Sequence, residues 1–265
     1  MVRIPFAQID AFAEEAFAGN PAAVMPLSAW LDDAVLQRIA SENNLSETAF
    51  LVPDASGEAD FELRWFTPVA EVALCGHATL ASGHFVLSSD GVRDRVTFRT
   101  RQAGVLEVAR EGAGYAMALP AWTPAARQMP DIVAALGVDP VETLWHEKGY
   151  ALVVVADEAA VRAAGPDGSA VAALGPYVLI VAARGKSADV VSRVFTHYFD
   201  IPEDPVTGSA HAVMVPYWAG VLGRDAFSAY QASARGGRVG CRLAGDRVVL
   251  TGACVTVIEG TFLLP

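Results

Sequence analysis

The sequence predicts an α+β fold built as two similar halves, with short strands in antiparallel sheets and one buried helix in each half. The first observation is a pair of similar segments, residues 71–87 (EVALCGHATLASGHFVL) and residues 203–222 (EDPVTGSAHAVMVPYWAGVL). In each, a small residue and a glycine precede a polar residue that could cap a helix, His77 or Ser209, and an apolar run follows. A helix that is apolar on every side must be buried.

The start of each predicted helix is the second observation. The first N–H groups of a helix have no partner within it and carry partial positive charge, and glycine lets a ligand approach them closely. Cys75-Gly76 and Thr207-Gly208 place a glycine at both starts. Two such starts predict two halves that share one anion site.

Short strands are the third observation. Residues 61–65 alternate between apolar and polar side chains, residues 105–109 do so in part, and 151–156 and 177–182 are apolar runs rich in β-branched residues. Glycine-containing breaks separate them, which favours antiparallel sheets. Helical patterns are few, and they predict helices over about 30–43, 77–89, 129–136, 157–164, 187–193 and 209–222. Pro216 lies inside the last of these and should kink it.

A proline-rich segment divides the chain almost evenly. Residues 120–130 contain three prolines and no periodicity, which indicates a linker. We therefore predict an N-terminal domain over 1–119 and a C-terminal domain over 130–253, each with one buried helix. Two domains of ordinary size suit a length of 265 residues.

The composition indicates a cytoplasmic enzyme that acts on a small ligand. Hydrophobic residues make up 53% of the chain, and the formal net charge is −11. Such a charge repels nucleic acid and anionic lipid. No apolar stretch is long enough to span a membrane, and the N-terminus lacks the pattern of a signal peptide. The three unclustered cysteines (Cys75, Cys241 and Cys254) suit reduced thiols.

Three ionisable residues near the predicted helix starts are candidates for proton transfer. Glu47 follows a predicted helix and begins an apolar strand, where a partly desolvated carboxylate suits a general acid or base. The alternative is that Glu47 caps a helix or forms a surface salt bridge. Asp204 precedes a proline and could simply begin a turn. His77 could be an N-cap or a core histidine.

Other catalytic signatures are missing from the sequence. Gly185-Lys186-Ser187 resembles the end of a phosphate-binding loop, but the required first glycine is Ile180. Neither G-x-S-x-G nor G-x-G-x-x-G is present. The five histidines show no zinc-ligand spacing with cysteine or carboxylate. We therefore expect no metal and no cofactor.

Several motifs together resemble one known family. They are Gln8–Phe12, Ala18–Val24, Asn44–Thr48, Phe66–Pro68 with Glu71–Leu80, Glu203–His211 and the tail Gln231–Gly260. On these motifs the chain resembles the PhzF family of phenazine-biosynthesis isomerases, within the wider group that shares the diaminopimelate epimerase fold. The resemblance runs nearly from end to end.

This resemblance implies a more detailed architecture than the residue patterns give. Proteins of this family have two similar domains, each a strongly curved antiparallel sheet, or half-barrel, wrapped around one central helix. Their active site lies in the cleft between the domains, and their last strand returns to the N-terminal domain. The resemblance thus implies that residues 254–265 return to residues 1–119. A homodimer is a further expectation.

The resemblance also implies roles for individual residues. Glu47 would move a proton between two carbons of a small carboxylated metabolite, as in trans-2,3-dihydro-3-hydroxyanthranilate isomerase. His77 and Asp204 would hold and orient the substrate. Backbone and hydroxyl donors would come from three residues at the helix starts, namely Gly76, Gly208 and Ser209.

Cys75 and Thr207 are candidate accessory residues that separate this chain from the epimerases of the same fold. Two-base epimerases carry a cysteine at each helix start, whereas here the second position is threonine. A threonine hydroxyl with no adjacent base accepts a proton poorly, so racemisation by two thiols is disfavoured. An epimerase or racemase of an amino or hydroxy acid stays the alternative enzyme, and a non-catalytic metabolite-binding protein is the alternative from another class.

Overall fold

A computed structural model describes residues 1–264 of the chain. Within this range there are eighteen strands, six α-helices and one turn of 3₁₀ helix. The helices are α1 (Asp33–Asn43), α2 (Gly76–Ser89), α3 (Pro130–Leu136), α4 (Glu158–Ala163), α5 (Gly168–Ala173) and α6 (Gly208–Leu222), with the 3₁₀ turn at His197–Phe199. None of the helices in residues 1–264 is long and apolar enough to span a membrane.

The strands cover most of the remaining chain. They are β1 (Val2–Ala11), β2 (Asn20–Pro26), β3 (Glu47–Pro53), β4 (Phe61–Phe66), β5 (Glu71–Val72), β6 (Arg95–Thr100), β7 (Val105–Glu111), β8 (Gly114–Pro120), β9 (Ala125–Ala126), β10 (Pro140–His146), β11 (Tyr150–Val155), β12 (Val178–Arg184), β13 (Val190–Thr196), β14 (Ile201–Glu203), β15 (Ala226–Gln231), β16 (Gly237–Ala244), β17 (Arg247–Gly252) and β18 (Cys254–Leu264). The chain divides into two compact units, unit 1 (Met1–Ala118 with the segment from Thr251 onward) and unit 2 (Leu119–Leu250).

Unit 1 contains a mixed sheet in the order β18-β1-β2-β3-β4-β6-β7-β8. From β1 to β7 the pairings alternate, with β1–β2 antiparallel, β2–β3 parallel, β3–β4 antiparallel, β4–β6 parallel and β6–β7 antiparallel. The C-terminal strand β18 pairs antiparallel with β1 along nearly its whole length.

Unit 2 repeats this topology by itself. Its strands β10, β11, β12, β13, β15 and β16 pair in that order, and the pairings again run antiparallel, parallel, antiparallel, parallel, antiparallel. In both units a short strand, β5 or β14, pairs with the end of the strand before it and leads into a long helix. The duplication inferred from two short segments therefore extends to the whole pairing pattern.

The long helices α2 and α6 are the central helices of the two units. Every residue from Gly76 to Gly83 is buried, and α2 packs against β1, β2, β3, β6 and β7. In α6 the stretch Ala210–Val215 is buried without a break. Because both helices are buried around most of their circumference, their sequences lack the polar face of a surface helix.

Pro216 lies inside α6, and the structure shows how its missing backbone donor is compensated. A proline N has no hydrogen, so the carbonyl four residues earlier, Ala212, receives no helical bond. The backbone N–H of Trp122 donates to this Ala212 oxygen at 3.0 Å. The proline-rich segment 120–130 is thus hydrogen-bonded to unit 2, where Ala125 and Ala126 also pair with β10.

Several local predictions were wrong. The sheets are mixed rather than purely antiparallel, because α1 and the helices α4 and α5 connect strands that pair in parallel. Residues 187–193 were predicted as a helix, but most of that segment belongs to strand β13. Its β-branched valines favour a strand, and short apolar runs are ambiguous between the two states. Helix α5 was missed because it spans only six residues, although Asp167 caps it with its side chain.

The cap assignments at the central helices were also wrong. The N-cap positions are Cys75 and Thr207, both with extended backbone, and neither side chain makes a capping hydrogen bond. His77 and Ser209 lie inside the first turn. Their side chains are thereby available for contacts other than capping.

Candidate active site

Glu47 is placed by the turn between α1 and β3. Helix α1 ends at Asn43, and the next residue, Asn44, adopts a left-handed backbone with φ of 50°. Asn43 stabilises this turn by donating from Nδ2 to the Thr48 hydroxyl at 3.1 Å. Glu47 is therefore the first residue of β3 and lies opposite Ala22 in the parallel pairing with β2.

His77 brings Glu47 into a buried cluster at the start of α2. Its Nε2 lies 3.0 Å from Oε2 of Glu47, and the exposed fractions of the two side chains are 4% and 13%. On the other side of the ring, Nδ1 lies 3.2 Å from Nδ2 of Asn20 and 3.5 Å from Sγ of Cys75. While His77 is neutral, the Asn20 amide nitrogen can donate to Nδ1 and the ring proton is on Nε2; a protonated ring has hydrogens on both nitrogens and needs the amide oxygen of Asn20 at Nδ1 instead.

Burial and charge act in opposite directions on these groups. Burial disfavours the charged form of the His77 ring, but the negative charges available at Cys75 and Glu47 raise the pKa of His77 well above its usual range. Burial, together with the nearby Glu47 carboxylate, raises the pKa of the Cys75 thiol to about 11. The thiol is therefore neutral near pH 7, and the Glu47 carboxylate is one of the groups that favour a protonated His77.

The same three residues are the candidates for a metal site. Glu47, Cys75 and His77 each offer a ligand atom, and these atoms lie within 4.8 Å of one another. The sequence spacing did not reveal this cluster. However, Glu47 faces Nε2 of the ring and Cys75 faces Nδ1, and one ion can bind only one of the two ring nitrogens. Contacts on opposite ring nitrogens do not form a three-ligand shell around one ion.

In unit 2 a second buried cluster surrounds Asp204. The backbone N–H of Asp204 donates to the Val194 carbonyl at 3.0 Å. The Oδ2 atom of Asp204 accepts a hydrogen bond from the Thr207 hydroxyl. Gln231, at the end of β15, donates from Nε2 to the Asp204 carbonyl at 2.7 Å and to the Thr207 hydroxyl at 3.2 Å. Its Oε1 accepts from the Thr207 N–H at 3.0 Å. The Thr207 hydroxyl thus does have an adjacent carboxylate, contrary to the expectation from sequence.

Each unit also contains one arginine that fixes the strand leading into the central helix. Arg64 binds both carboxylate oxygens of Glu71 at 2.8 Å, and Arg193 binds those of Glu203 at 2.7 and 2.9 Å. Bidentate pairs of this kind define geometry as well as adding energy. Since Glu203 directly precedes Asp204, this pair anchors the backbone that carries the candidate carboxylate.

The structure distributes the predicted site residues over the two units. Unit 1 brings together Glu47, His77 and Cys75, with Gly76 as the first residue of α2. Unit 2 brings together Asp204 and Thr207, and Gly208 and Ser209 begin α6. Sequence reasoning missed Asn20 and Gln231 as partners of these residues. Both lie in motifs that carried the family resemblance, which is the only signal that could have identified them.

The pairing order and the two central helices define the protein as an α+β protein with a duplicated mixed sheet. A solved structure described as a predicted epimerase from Pseudomonas aeruginosa superposes with a TM-score of 0.78 and 21% identity, over 99% of this chain and all of the other. At that identity the likeness shows the fold alone, and it confirms the predicted fold class.

Residues 9–260 match the family described as phenazine biosynthesis-like protein, PhzC-PhzF, and the chain belongs to this family. A relative from Pseudomonas aeruginosa named as an uncharacterized isomerase is 47% identical, over 97% of this chain and 98% of its own. The crystal structure of a PhzF-family protein from Enterococcus faecalis is 42% identical with a TM-score of 0.91, over 99% of this chain and all of the other. These relatives support an isomerase as the general activity.

Proposed function

We propose that this protein is a cofactor-independent isomerase that moves a proton within a small carboxylated substrate by general acid/base catalysis. Glu47 is the proton carrier, as in a trans-2,3-dihydro-3-hydroxyanthranilate isomerase. The observation that carries the proposal is the contact between Oε2 of Glu47 and Nε2 of the buried His77, at 3.0 Å. This contact holds a carboxylate at the edge of a buried helix start, where a substrate would meet it.

The reaction needs only one carboxylate. Glu47 removes a proton from a carbon next to an unsaturated or carboxylated carbon, and the electron pair of the C–H bond moves into the conjugated system. The protonated Glu47 then returns this proton to another carbon of the same substrate. A positioned acid or base contributes roughly 10² to 10⁴-fold to the rate, so positioning and electrostatics must provide the rest.

The remaining residues hold the substrate and its developing charge. We propose that His77 and Asp204 orient the substrate, and that donors at the helix starts, namely Gly76, Gly208 and Ser209, stabilise its negative charge. Backbone N–H groups at a helix start suit this role because they are not used inside the helix and carry partial positive charge. Fixed donors of this kind often make the largest contribution to catalysis.

The alternative of a two-base epimerase finds less support. Such an enzyme needs a cysteine at each helix start, one of them as the thiolate, but Cys75 has a pKa of about 11 and the second position is Thr207. The hydroxyl of Thr207 does contact a carboxylate, Asp204. A carboxylate is nevertheless too weak a base to keep an alcohol deprotonated, because their ordinary pKa values are far apart.

A non-catalytic binding protein would bind carboxylates without exchanging their hydrogens.

Substitution of Glu47 by Gln tests the proposal. Glutamine keeps the shape of the side chain but cannot accept a proton, so we expect turnover to fall by at least about 10²-fold while ligand binding persists. Unsaturated and amino carboxylates, beginning with trans-2,3-dihydro-3-hydroxyanthranilate, are offered in deuterated water, and label in the product is measured. Calorimetry measures binding to both proteins. An active Glu47→Gln enzyme would show that Glu47 is structural.

A further inference from the structure

Gln231 is a buried side chain for which neither the sequence nor the family resemblance assigned a role. It is the last residue of β15 and is fully buried. Its side-chain amide makes three hydrogen bonds, all to the turn that carries Asp204 and Thr207. A buried amide with every bond directed at one turn indicates a function in that turn rather than general packing.

The orientation of the Gln231 amide follows from its partners. The backbone N–H of Thr207 can only donate, so the atom that faces it at 3.0 Å is Oε1. The NH₂ group therefore faces the Asp204 carbonyl at 2.7 Å, which can only accept. Two independent partners thus fix the same orientation.

This orientation also determines where the Thr207 hydroxyl points. Gln231 Nε2 donates to Oγ1 of Thr207 at 3.2 Å and so occupies one of its lone pairs. The hydrogen of the hydroxyl is directed at Oδ2 of Asp204, which as a carboxylate oxygen can only accept. The chain of donors runs from Gln231 through Thr207 to Asp204.

We propose that Gln231 is a positioning residue that acts through the Thr207 hydroxyl to hold the Asp204 carboxylate in its substrate-binding orientation. This inference rests on the proposed role of Asp204 in binding the substrate. The backbone on the other side of Asp204 is already held by the Arg193–Glu203 pair and by the bond to Val194. Gln231 orients the Thr207 hydroxyl, and this hydroxyl contacts Oδ2 of Asp204.

Two substitutions test the chain of donors. Gln231→Met removes the amide at similar length, and Thr207→Val removes the hydroxyl at similar shape. We expect each to lower kcat for trans-2,3-dihydro-3-hydroxyanthranilate by about 10-fold to 10²-fold, the range in which small misplacements of a reacting group fall. If Gln231 acts through Thr207, the double variant should be no slower than Thr207→Val alone. Thr207→Ser, which restores a hydroxyl, should recover most of the rate lost in Thr207→Val.

Ser233 offers a matched control in the same turn. Its hydroxyl donates to the Pro205 carbonyl at 2.9 Å and has no assigned contact with the Thr207 hydroxyl or the Asp204 carboxylate. We expect Ser233→Ala to weaken the turn without lowering kcat. Gln231→Glu, which keeps the shape but loses the donors, replaces Gln231→Met if the latter fails to fold. Effects of Gln231 and Thr207 that multiply in the double variant, or a Gln231 variant with normal kcat, would overturn the proposal.

A direct observation of the hydroxyl separates this inference from the proposed function. A buried, hydrogen-bonded hydroxyl proton exchanges slowly, so NMR should show one that disappears in Thr207→Val and is weakened or shifted in Gln231→Met. A wild-type protein that turns over no carboxylate would overturn the proposed function while this signal persists. A wild-type protein without the slowly exchanging proton would overturn the assignment of Gln231.

Discussion

At the residue scale, burial decides which groups of the two clusters carry charge at neutral pH. The Cys75 thiol is kept neutral by a pKa of about 11, and burial lowers the pKa of His211 to about 4. His77 is the exception, because the negative charges available at Cys75 and Glu47 raise the pKa of its ring well above the usual range in spite of its burial. The candidate proton carrier therefore has a charged neighbour, while the nearby thiol is inert.

His211 should make stability depend on pH in a measurable way. Its Nδ1 donates to the Thr207 carbonyl at 2.8 Å, and the ring stays neutral in the fold. The unfolded chain takes up a proton near the ordinary pKa of 6.5, whereas the folded chain does so only near 4, so stability is lost as pH falls between these values. The expected loss is on the order of 3 kcal/mol.

Asparagine at position 211 provides the control for this measurement. The amide of His211→Asn can still donate to the Thr207 carbonyl but does not titrate. We expect urea unfolding to show a smaller loss of stability for this variant than for the wild type between pH 6.5 and 4. Identical pH dependence in both proteins would contradict the assignment of a neutral buried His211.

Part of the candidate site could be predicted from the sequence residue by residue. Glu47 and His77 were identified as candidates, and the structure brings them into contact. Asn20 and Gln231 were not, because an amide has no charge or reactivity that would distinguish it in a sequence. Both amides contact residues that are distant in the sequence. Asn20 lies 57 positions from His77, and Gln231 lies 24 positions from Thr207.

At the scale of elements, the two central helices contain glycines that face different surroundings. A Cβ built on Gly83 of α2 would lie 2.3 Å from Cγ1 and 2.6 Å from Cβ of Val108 in β7. The Cβ of Val108 is fixed by the backbone of this fully buried residue, so no rotamer change relieves that contact. Gly220 in the last turn of α6 has no atom within 4 Å of the equivalent point. Glycine is thus required by close packing at the first position and not at the second.

Alanine substitutions at these two glycines should have opposite effects. We expect Gly83→Ala to lower the free energy of unfolding by about 1–3 kcal/mol, the usual cost of overpacking a core. Gly220→Ala should instead raise it by up to about 1 kcal/mol, because alanine is the better helix former and nothing obstructs it. Chemical denaturation of both variants measures the difference, and a stabilised Gly83→Ala protein would contradict the described packing of α2 against β7.

Elements were predictable where their pattern was long. The long apolar runs of α2 and α6 identified both central helices, and the predicted starts lie within one residue of the observed ones. Parallel pairings were not predictable, since strand alternation looks the same in either direction and only the connecting helices decide it. Short segments such as 187–193 failed because seven residues support either period.

At the scale of the whole molecule, duplication is the organising feature. The two units share an order of antiparallel and parallel pairings, a buried helix that begins with glycine, and an arginine–glutamate pair before that helix. The side chains near the two helix starts nevertheless differ. They are Glu47, His77 and Cys75 in unit 1, and Asp204 and Thr207 in unit 2. This asymmetry is compatible with an enzyme that uses one proton carrier, whereas a two-base epimerase would need matched bases.

The most direct test of this account compares Glu47→Gln with Cys75→Ser on one carboxylated substrate in deuterated water. We expect Cys75→Ser to retain most of the hydrogen exchange, because a thiol with a pKa of about 11 does not act as the base. Glu47→Gln should lose the exchange by at least about 10²-fold. Loss of exchange in Cys75→Ser together with normal exchange in Glu47→Gln would contradict the account and favour an epimerase.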